Sequence, residues 1–381
     1  MLDKNNKILI VGLGLLGGSY ASCLMDKGYQ VYAIDKNESS IEYAIQNKII
    51  IDGTTKVEKE FIEQFDLLIF CLYPKVFVEW ITNYQQFIKP NAILTDVTGV
   101  KSYIIKELNN ILRTDLEFIG AHPMAGREVY GVENSKKDLF LGANLIITPT
   151  TSSTEKAIEI VREIGKLLGF ENIVTLSKEE HDEMIGFLSQ LTHCIAVSLM
   201  TCKESKHLVK YTGDSFRDLT RIAKINEDMW SELFMLNKKE LLSQMELFEN
   251  KFKELKTFIE NNDVENMKEM MKLSTYRRSH FNKMAKKFEE DFAPKVITEE
   301  EENTMHKYIG EEQSSEVKEN NTESSTPAEK ETEVENTGEI EKVTVSDLLN
   351  AFIVLCKEQG IELSECSVDL LGGSFCIRGG I

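Results

Sequence analysis

The chain has 381 residues, 42% of them hydrophobic, and a formal net charge of −19. That length predicts two or three domains with ample apolar residues for a core. The acidic balance argues against nucleic-acid and anionic-membrane partners. No uninterrupted apolar run approaches the roughly 18 residues of a membrane span, and the opening MLDKNNKILIVGLG lacks the basic, apolar and small-residue sections of a secretory signal. Seven cysteines lie scattered in apolar surroundings, with no C-x-x-C pair and no metal-ligand spacing. Reduced core thiols in a cytoplasmic protein without a metal centre are therefore expected.

Residues 7–150 alternate apolar strand-like runs with helical patterns, the signature of a parallel α/β sheet. The strand candidates are KILIVGLG, QVYAID, FDLLIFCLYP, NAILTDVTG, EFIGAHP and NLIITPT. Several are apolar throughout, as strands covered on both faces should be. From Thr154 to about Lys287 the pattern turns helical, with long amphipathic stretches near 179–206, 214–224 and 226–287. Only ENIVTL interrupts with strand character, and no proline falls between Pro149 and Pro294. Composition then breaks. Residues 298–342 hold 15 Glu against 4 Lys, a net −11 of the chain's −19, and should form a disordered, self-repelling linker. Beyond it, a short strand, a Ser-capped helix and a hairpin around Gly372-Gly373 are expected. The expected boundaries are 1–152 for the sheet domain, 153–296 for the helical domain, 297–342 for the linker and 343–381 for a small C-terminal segment, a candidate regulatory piece.

Within the first strand and helix, Gly12, Gly14 and Gly17 fall in G-x-G-x-x-G spacing. Gly12 serves a tight turn, Gly14 lets backbone approach a pyrophosphate, and Gly17 allows close helix–strand packing. The helix N-terminus offers its N–H groups to phosphate. Asp35, ending the second strand, suits the two ribose hydroxyls of NAD and repels a 2′-phosphate, although Lys36 stands next to it.

Ligands of open α/β sheets bind beyond the carboxyl ends of the strands. Two such ends here carry polar groups: LTDVTGVK with Asp96, Thr98 and Lys101, and FIGAHPMAGRE with His122, Arg127 and Glu128. A histidine there suits proton transfer near neutral pH; the alternative is a satisfied core histidine. In the helical region His181, Ser189 and His193 recur at roughly helical spacing, and Arg217 and Arg221 share one face. Paired guanidinium groups suit capture of a carboxylate, and surface ion pairing with Asp214 or Asp218 is the competing reading.

Taken in order, VGLGLLGGS, DVTGVK, HPMAGRE, HD, SQLTH and FRDLTRIA…MW resemble the prephenate/arogenate dehydrogenase family of tyrosine biosynthesis, over about residues 7–285. The resemblance implies an α/β Rossmann-type dinucleotide-binding domain followed by an all-α dimerisation domain, with a small α+β tail after the acidic linker. It implies a homodimer that oxidatively decarboxylates prephenate to 4-hydroxyphenylpyruvate with NAD as cofactor. By the same resemblance His122 takes the proton of the ring hydroxyl, Arg217 holds a substrate carboxylate, His193 lies beside the substrate, and Glu128 helps set the polar network. The chain departs from the family pattern at Thr98-Gly99, where many relatives have Gly-Ser, so the hydroxyl expected near His122 comes from Thr98 or is absent. It also has Ser189-Gln190-Leu191-Thr192-His193 where relatives read Ser-His-Leu-Pro-His, so only His193 is carried over. Arogenate dehydrogenase, a β-hydroxyacid-type dehydrogenase and a non-catalytic NAD(H)-sensing regulator are the alternatives.

Overall fold

The computed structural model of the chain describes residues 2–127, 129–204 and 206–281, with the pairs 367–368 and 377–378. The described residues up to Phe281 form one compact unit. Its centre is an eight-stranded sheet of β1 (Lys7–Val11), β2 (Gln30–Ile34), β3 (Asp52–Thr54), β4 (Leu67–Phe70), β5 (Ile93–Asp96), β6 (Glu117–Pro123), β7 (Asn144–Pro149) and β8 (Asn172–Thr175). Their spatial order is β3-β2-β1-β4-β5-β6-β7-β8. The first six are parallel, whereas β7 runs antiparallel to β6 and β8 runs parallel to β7. The order reverses between β1 and β4, which puts the crevice of a doubly wound sheet beyond the ends of those strands.

The all-apolar runs behave as doubly covered strands should: every residue of β4, Leu67–Phe70, is buried. On one face, α1 (Leu15–Asp26), α2 (Glu38–Gln46) and, further along, α6 (Glu155–Leu168) contribute Tyr20, Leu24, Ile41, Ile160 and Ile164 to a single core. On the other face, α3 (Lys59–Ile62), α4 (Pro74–Tyr84) and α5 (Ser102–Ile111) bring Ile62, Phe77, Trp80 and Leu108 against Leu9, Leu68 and Phe118.

The expected break at residue 152 falls inside this sheet layer. Thr154 caps α6 by accepting the Ala157 N–H at 3.3 Å, and Gly169 ends the helix in the left-handed region at φ +85°. ENIVTL then supplies β8, which pairs with β7 as the last strand. The segment assigned from sequence to the helical region is thus a crossover that returns to the sheet.

Beyond β8 come α7 (Lys178–Ile185), a π turn (Gly186–Leu191) and α8 (Thr192–Thr201), one continuous rod. By length and mean hydropathy this rod could cross a membrane; buried His181 and Asp182 tie its first half to the interior. Next are α9 (Asp214–Thr220), a 3-10 turn (Arg221–Ala223), α10 (Glu227–Leu236), α11 (Lys238–Glu260) and α12 (Val264–Ser279). The stretch expected to be helical from 226 to 287 is therefore divided into three. Asn237 breaks the first pair, donating its side-chain N–H to the Asp182 carbonyl and Gln190 Oε1, each at 2.8 Å. Asn262 sits at φ +55° and Asp263 caps α12, the roles for which Asn and Asp are suited.

Most of the expected linker and C-terminal segment lies outside the described residues. Within the segment, β9 (Ser367–Val368) pairs antiparallel with β10 (Ile377–Arg378), on either side of Gly372-Gly373.

Candidate active site

The glycine loop joins β1 to α1 at the sheet's switch point. Gly12 adopts φ +101°, and a Cβ there would lie 2.6 Å from the Cys71 carbonyl oxygen; one on Gly17 would lie 1.9 Å from the Gly12 oxygen. Both positions therefore exclude side chains by packing alone. Gly14 differs: nothing lies within 4 Å of where its Cβ would stand. It is the N-cap residue of α1 and no side chain caps the helix, so the first-turn N–H groups are left without a side-chain partner there. Asp35, at the end of β2, accepts the Leu13 N–H at 2.6 Å and the Asn37 N–H at 2.8 Å. Each carboxylate oxygen keeps acceptor capacity for a ribose hydroxyl. Glycine backbone, helix terminus and carboxylate together fit a dinucleotide.

Further along the same edge of the sheet, β5 and β6 end in the polar groups noted from sequence. Asp96 is fully buried and bridges the two strands: its Oδ1 accepts the Ala121 N–H at 3.0 Å, and its Oδ2 accepts the Lys101 ammonium at 2.6 Å. Lys101 is itself fully buried and also donates to the Thr98 carbonyl at 2.9 Å. Burial pulls the Lys101 pKa below its ordinary value, against the pull of Asp96 and Asp182.

His122 follows Ala121 on β6, pairs in register with Ile146 of β7, and is partly buried. Its Nδ1 lies 2.9 Å from Nε2 of His181 on α7, and His181 Nδ1 lies 2.7 Å from Asp182 Oδ1. Asp182 also accepts the backbone N–H groups of Lys101 and Ser102, each at 2.8 Å. Burial lowers the His122 pKa well below 6.5, helped by His181 and Lys101. Burial likewise lowers that of His181, although Asp182 opposes the shift. For Asp182, burial works upward and is outweighed by the His181 hydrogen bond and the two backbone donors, which hold it below the usual carboxylate range. His122 is thus kept neutral and able to accept a proton near pH 7.

Thr98 is buried. Its hydroxyl bonds to the Asp96 carboxylate and the Val100 carbonyl and receives the Lys101 ammonium, all in the interior. None of these partners is His122, whose Nδ1 is taken by His181. The residue beside the His122 ring is Gly99: a Cβ there would be 3.8 Å from His122 Cε1 and 3.4 Å from Leu233 of α10.

His193 stacks on Trp230 of α10 with ring centroids 3.7 Å apart, and its Nδ1 bonds to the Ser189 carbonyl at 2.8 Å. Arg217, on α9, has its side chain 60% exposed and pairs with Asp214 at 2.7 Å. It also donates to the Thr212 carbonyl. α9 packs against α8, but within this chain the guanidinium is not brought onto His122. Glu128 lies outside the described residues. No cluster of metal-ligating side chains occurs among those described.

The sequence marks His181 only by its helical spacing with Ser189 and His193 and within the HD segment, and gives neither it nor Asp182 a role; the pair is adjacent on the inward phase of α7, beside buried Ile185.

Residues 20–174 match the family model described as prephenate dehydrogenase, nucleotide-binding domain, and residues 177–273 match prephenate dehydrogenase, dimerization domain. A prephenate dehydrogenase of Lactococcus lactis is 30% identical over 264 residues, covering 68% of this chain and 72% of that one. A cyclohexadienyl dehydrogenase of Zymomonas mobilis is 28% identical over 297 residues, covering 75% and 98%. The crystal structure of prephenate dehydrogenase from Aquifex aeolicus, in complex with hydroxyphenyl propionate and NAD+, superposes with a TM-score of 0.67 at 33% identity, covering 73% of this chain and 98% of that one. With a nucleotide cradle and a neutral histidine on one sheet edge, and both family models matched in order, the chain belongs to the prephenate/arogenate dehydrogenase family of oxidoreductases.

Proposed function

We propose that the chain is an NAD-dependent prephenate dehydrogenase, oxidising the ring alcohol of prephenate with loss of carbon dioxide to give 4-hydroxyphenylpyruvate. The observation that carries this reading is the partly buried, neutral His122 at the carboxyl end of β6, on the sheet edge that also bears the glycine loop. Bound NAD+ supplies the acceptor for the hydride that leaves the carbinol carbon. Gly12, Gly14 and Gly17 with the α1 terminus hold its pyrophosphate, and Asp35 holds its ribose.

As positive charge builds on the carbinol carbon, the hydroxyl becomes acidic, and His122 takes its proton. Thr98 acts at a distance, holding Asp96 and Lys101 and so the backbone that carries His122. His193, fixed by Trp230, and Glu128 orient the substrate, and Arg217 binds a substrate carboxylate through its outward guanidinium. Apolar side chains left exposed on the rod and on α11, among them Phe187, Leu188, Leu247 and Phe252, form the contact of a homodimer.

The test is NADH absorbance with prephenate and with arogenate, for wild type and His122→Asn. Wild type should turn over prephenate with the higher kcat/KM. His122→Asn should lose about 10²- to 10⁴-fold in kcat with NAD affinity retained. A higher kcat/KM for arogenate would transfer the assignment to that substrate. No turnover of either would leave an NAD(H)-binding protein without this chemistry.

A further inference from the structure

Three ring and carboxylate contacts form an unbroken line from the sheet into the helical layer: His122 Nδ1 to His181 Nε2, His181 Nδ1 to Asp182 Oδ1, and Asp182 to the first N–H groups at the start of α5. His181 is fully buried and Asp182 almost so. No water therefore offers either one an alternative partner, and the protons along the line can be assigned by counting donors.

Asp182 accepts the Lys101 N–H on Oδ1 and the Ser102 N–H on Oδ2. An ionised carboxylate has no proton to give, so His181 Nδ1 must carry one. A neutral imidazole carries a single N–H, so His181 Nε2 is bare and can only accept. The 2.9 Å contact then requires His122 Nδ1 to be the donor. That leaves the lone pair of neutral His122 on Nε2, the nitrogen outside the line.

We infer that His181 and Asp182 are positioning residues that lock His122 into the tautomer with a bare Nε2. By the same geometry, the base is armed only while α7 is docked on the start of α5. The second half of the inference follows from Asp182. Its carboxylate is the only side-chain partner of the Lys101 and Ser102 N–H groups among the described residues, since the start of α5 has no cap of its own. One side chain from α7 thus serves a helix terminus of the sheet layer and the histidine line together. The charged groups around His122 are His181 and Asp182 from α7, and Lys101 and Asp96 from the end of β5 and the loop after it.

This inference rests on His122 being the base of the proposed reaction, but its first test does not depend on substrate. Nitrogen-15 spectra of histidine-labelled full-length protein near neutral pH should show His122 and His181 both protonated on Nδ1. The signals are assigned by their loss in His122→Asn and His181→Gln. A His122 protonated on Nε2 in wild type would overturn the inference.

The second test separates positioning from folding. His181→Phe keeps a ring in the interior and removes the acceptor. It should show both His122 tautomers and lower kcat by about tenfold or more, with KM and NAD affinity within about twofold. His181→Gln can present its side-chain oxygen to His122 Nδ1, and should recover most of kcat and the wild-type acid limb of the pH profile. A His181→Phe protein with wild-type kcat and pH profile would overturn the inference, as would a Gln variant no better than Phe. If wild type turns over neither prephenate nor arogenate, the functional reading falls, and the spectra still decide the tautomer.

Discussion

Thr98 and Arg217 show how a side chain can matter without touching the base. Thr98 completes the hydrogen bonding of a buried Lys101–Asp96 pair. Thr98→Val keeps the shape and leaves those charges one partner short, at a cost of about 1–3 kcal/mol. Its denaturant midpoint should fall, while kcat falls far less than in His122→Asn. Arg217 presents the opposite case. Its exposed pair with Asp214 contributes about 0–1 kcal/mol to folding, so Arg217→Ala should unfold like wild type. Its KM for substrate should nevertheless rise on the order of thirtyfold, from loss of about 2 kcal/mol of charged hydrogen bonding. An unchanged KM would remove Arg217 from the site. His122 is legible from sequence because a histidine, proline and glycine interrupt an apolar strand at its carboxyl end. Its partner is not, because 59 residues separate His122 from His181 and nothing local signals that they meet.

At the level of elements, apolar content made the inner strands plain, and brevity hid the edge strand β3. Leu67–Phe70 is apolar and wholly buried, whereas Asp52–Thr54 is three residues with none buried; Asn172–Thr175 reads as a strand, but its helical neighbourhood does not show that it joins the sheet. The caps were equally readable: Ser177 and Glu180 form a reciprocal capping box that starts the helix carrying His181. The helix ends at Asn237 and Asn262 were not, because the apolar periodicity on either side runs on without proline or glycine. The glycine loop yields the sharpest test of an element. Gly17→Ala places a methyl carbon 1.9 Å from the Gly12 oxygen, a contact backbone cannot tolerate. The variant should lose NAD binding, measured by fluorescence titration, even where circular dichroism shows its helices retained. Gly14→Ala meets no protein atom, so it should fold normally and weaken NAD alone.

For the whole molecule, the buried histidine pair ties stability to pH. Both rings have pKa values below 6.5 in the folded chain. Below that value the unfolded chain binds protons that the folded chain resists, so this stability is present above pH 6.5 and lost as pH falls through it. The thermal midpoint should drop between neutral pH and about pH 5, and His122→Asn should flatten the drop. An equal drop in that variant would place the sensitivity elsewhere. The acid limb of kcat/KM should correspondingly lie below pH 6.5, since His122 stays neutral well under its ordinary value.

The π turn at Gly186–Leu191 has a consequence for which insertions and deletions the chain can accept. His181 and His193 are twelve positions apart. At about 100° per residue, an unbroken α-helix would leave them about 120° out of phase. A π turn is a helical turn with one residue too many, so the effective separation is eleven and the mismatch shrinks to about 20°. Removing a single residue there should give a regular rod that keeps both imidazoles on one flank, since eleven positions are again about 20° out of phase. Regularising the turn at unchanged length would instead swing one imidazole about 120° from the other, giving an intact rod with its two halves aimed apart.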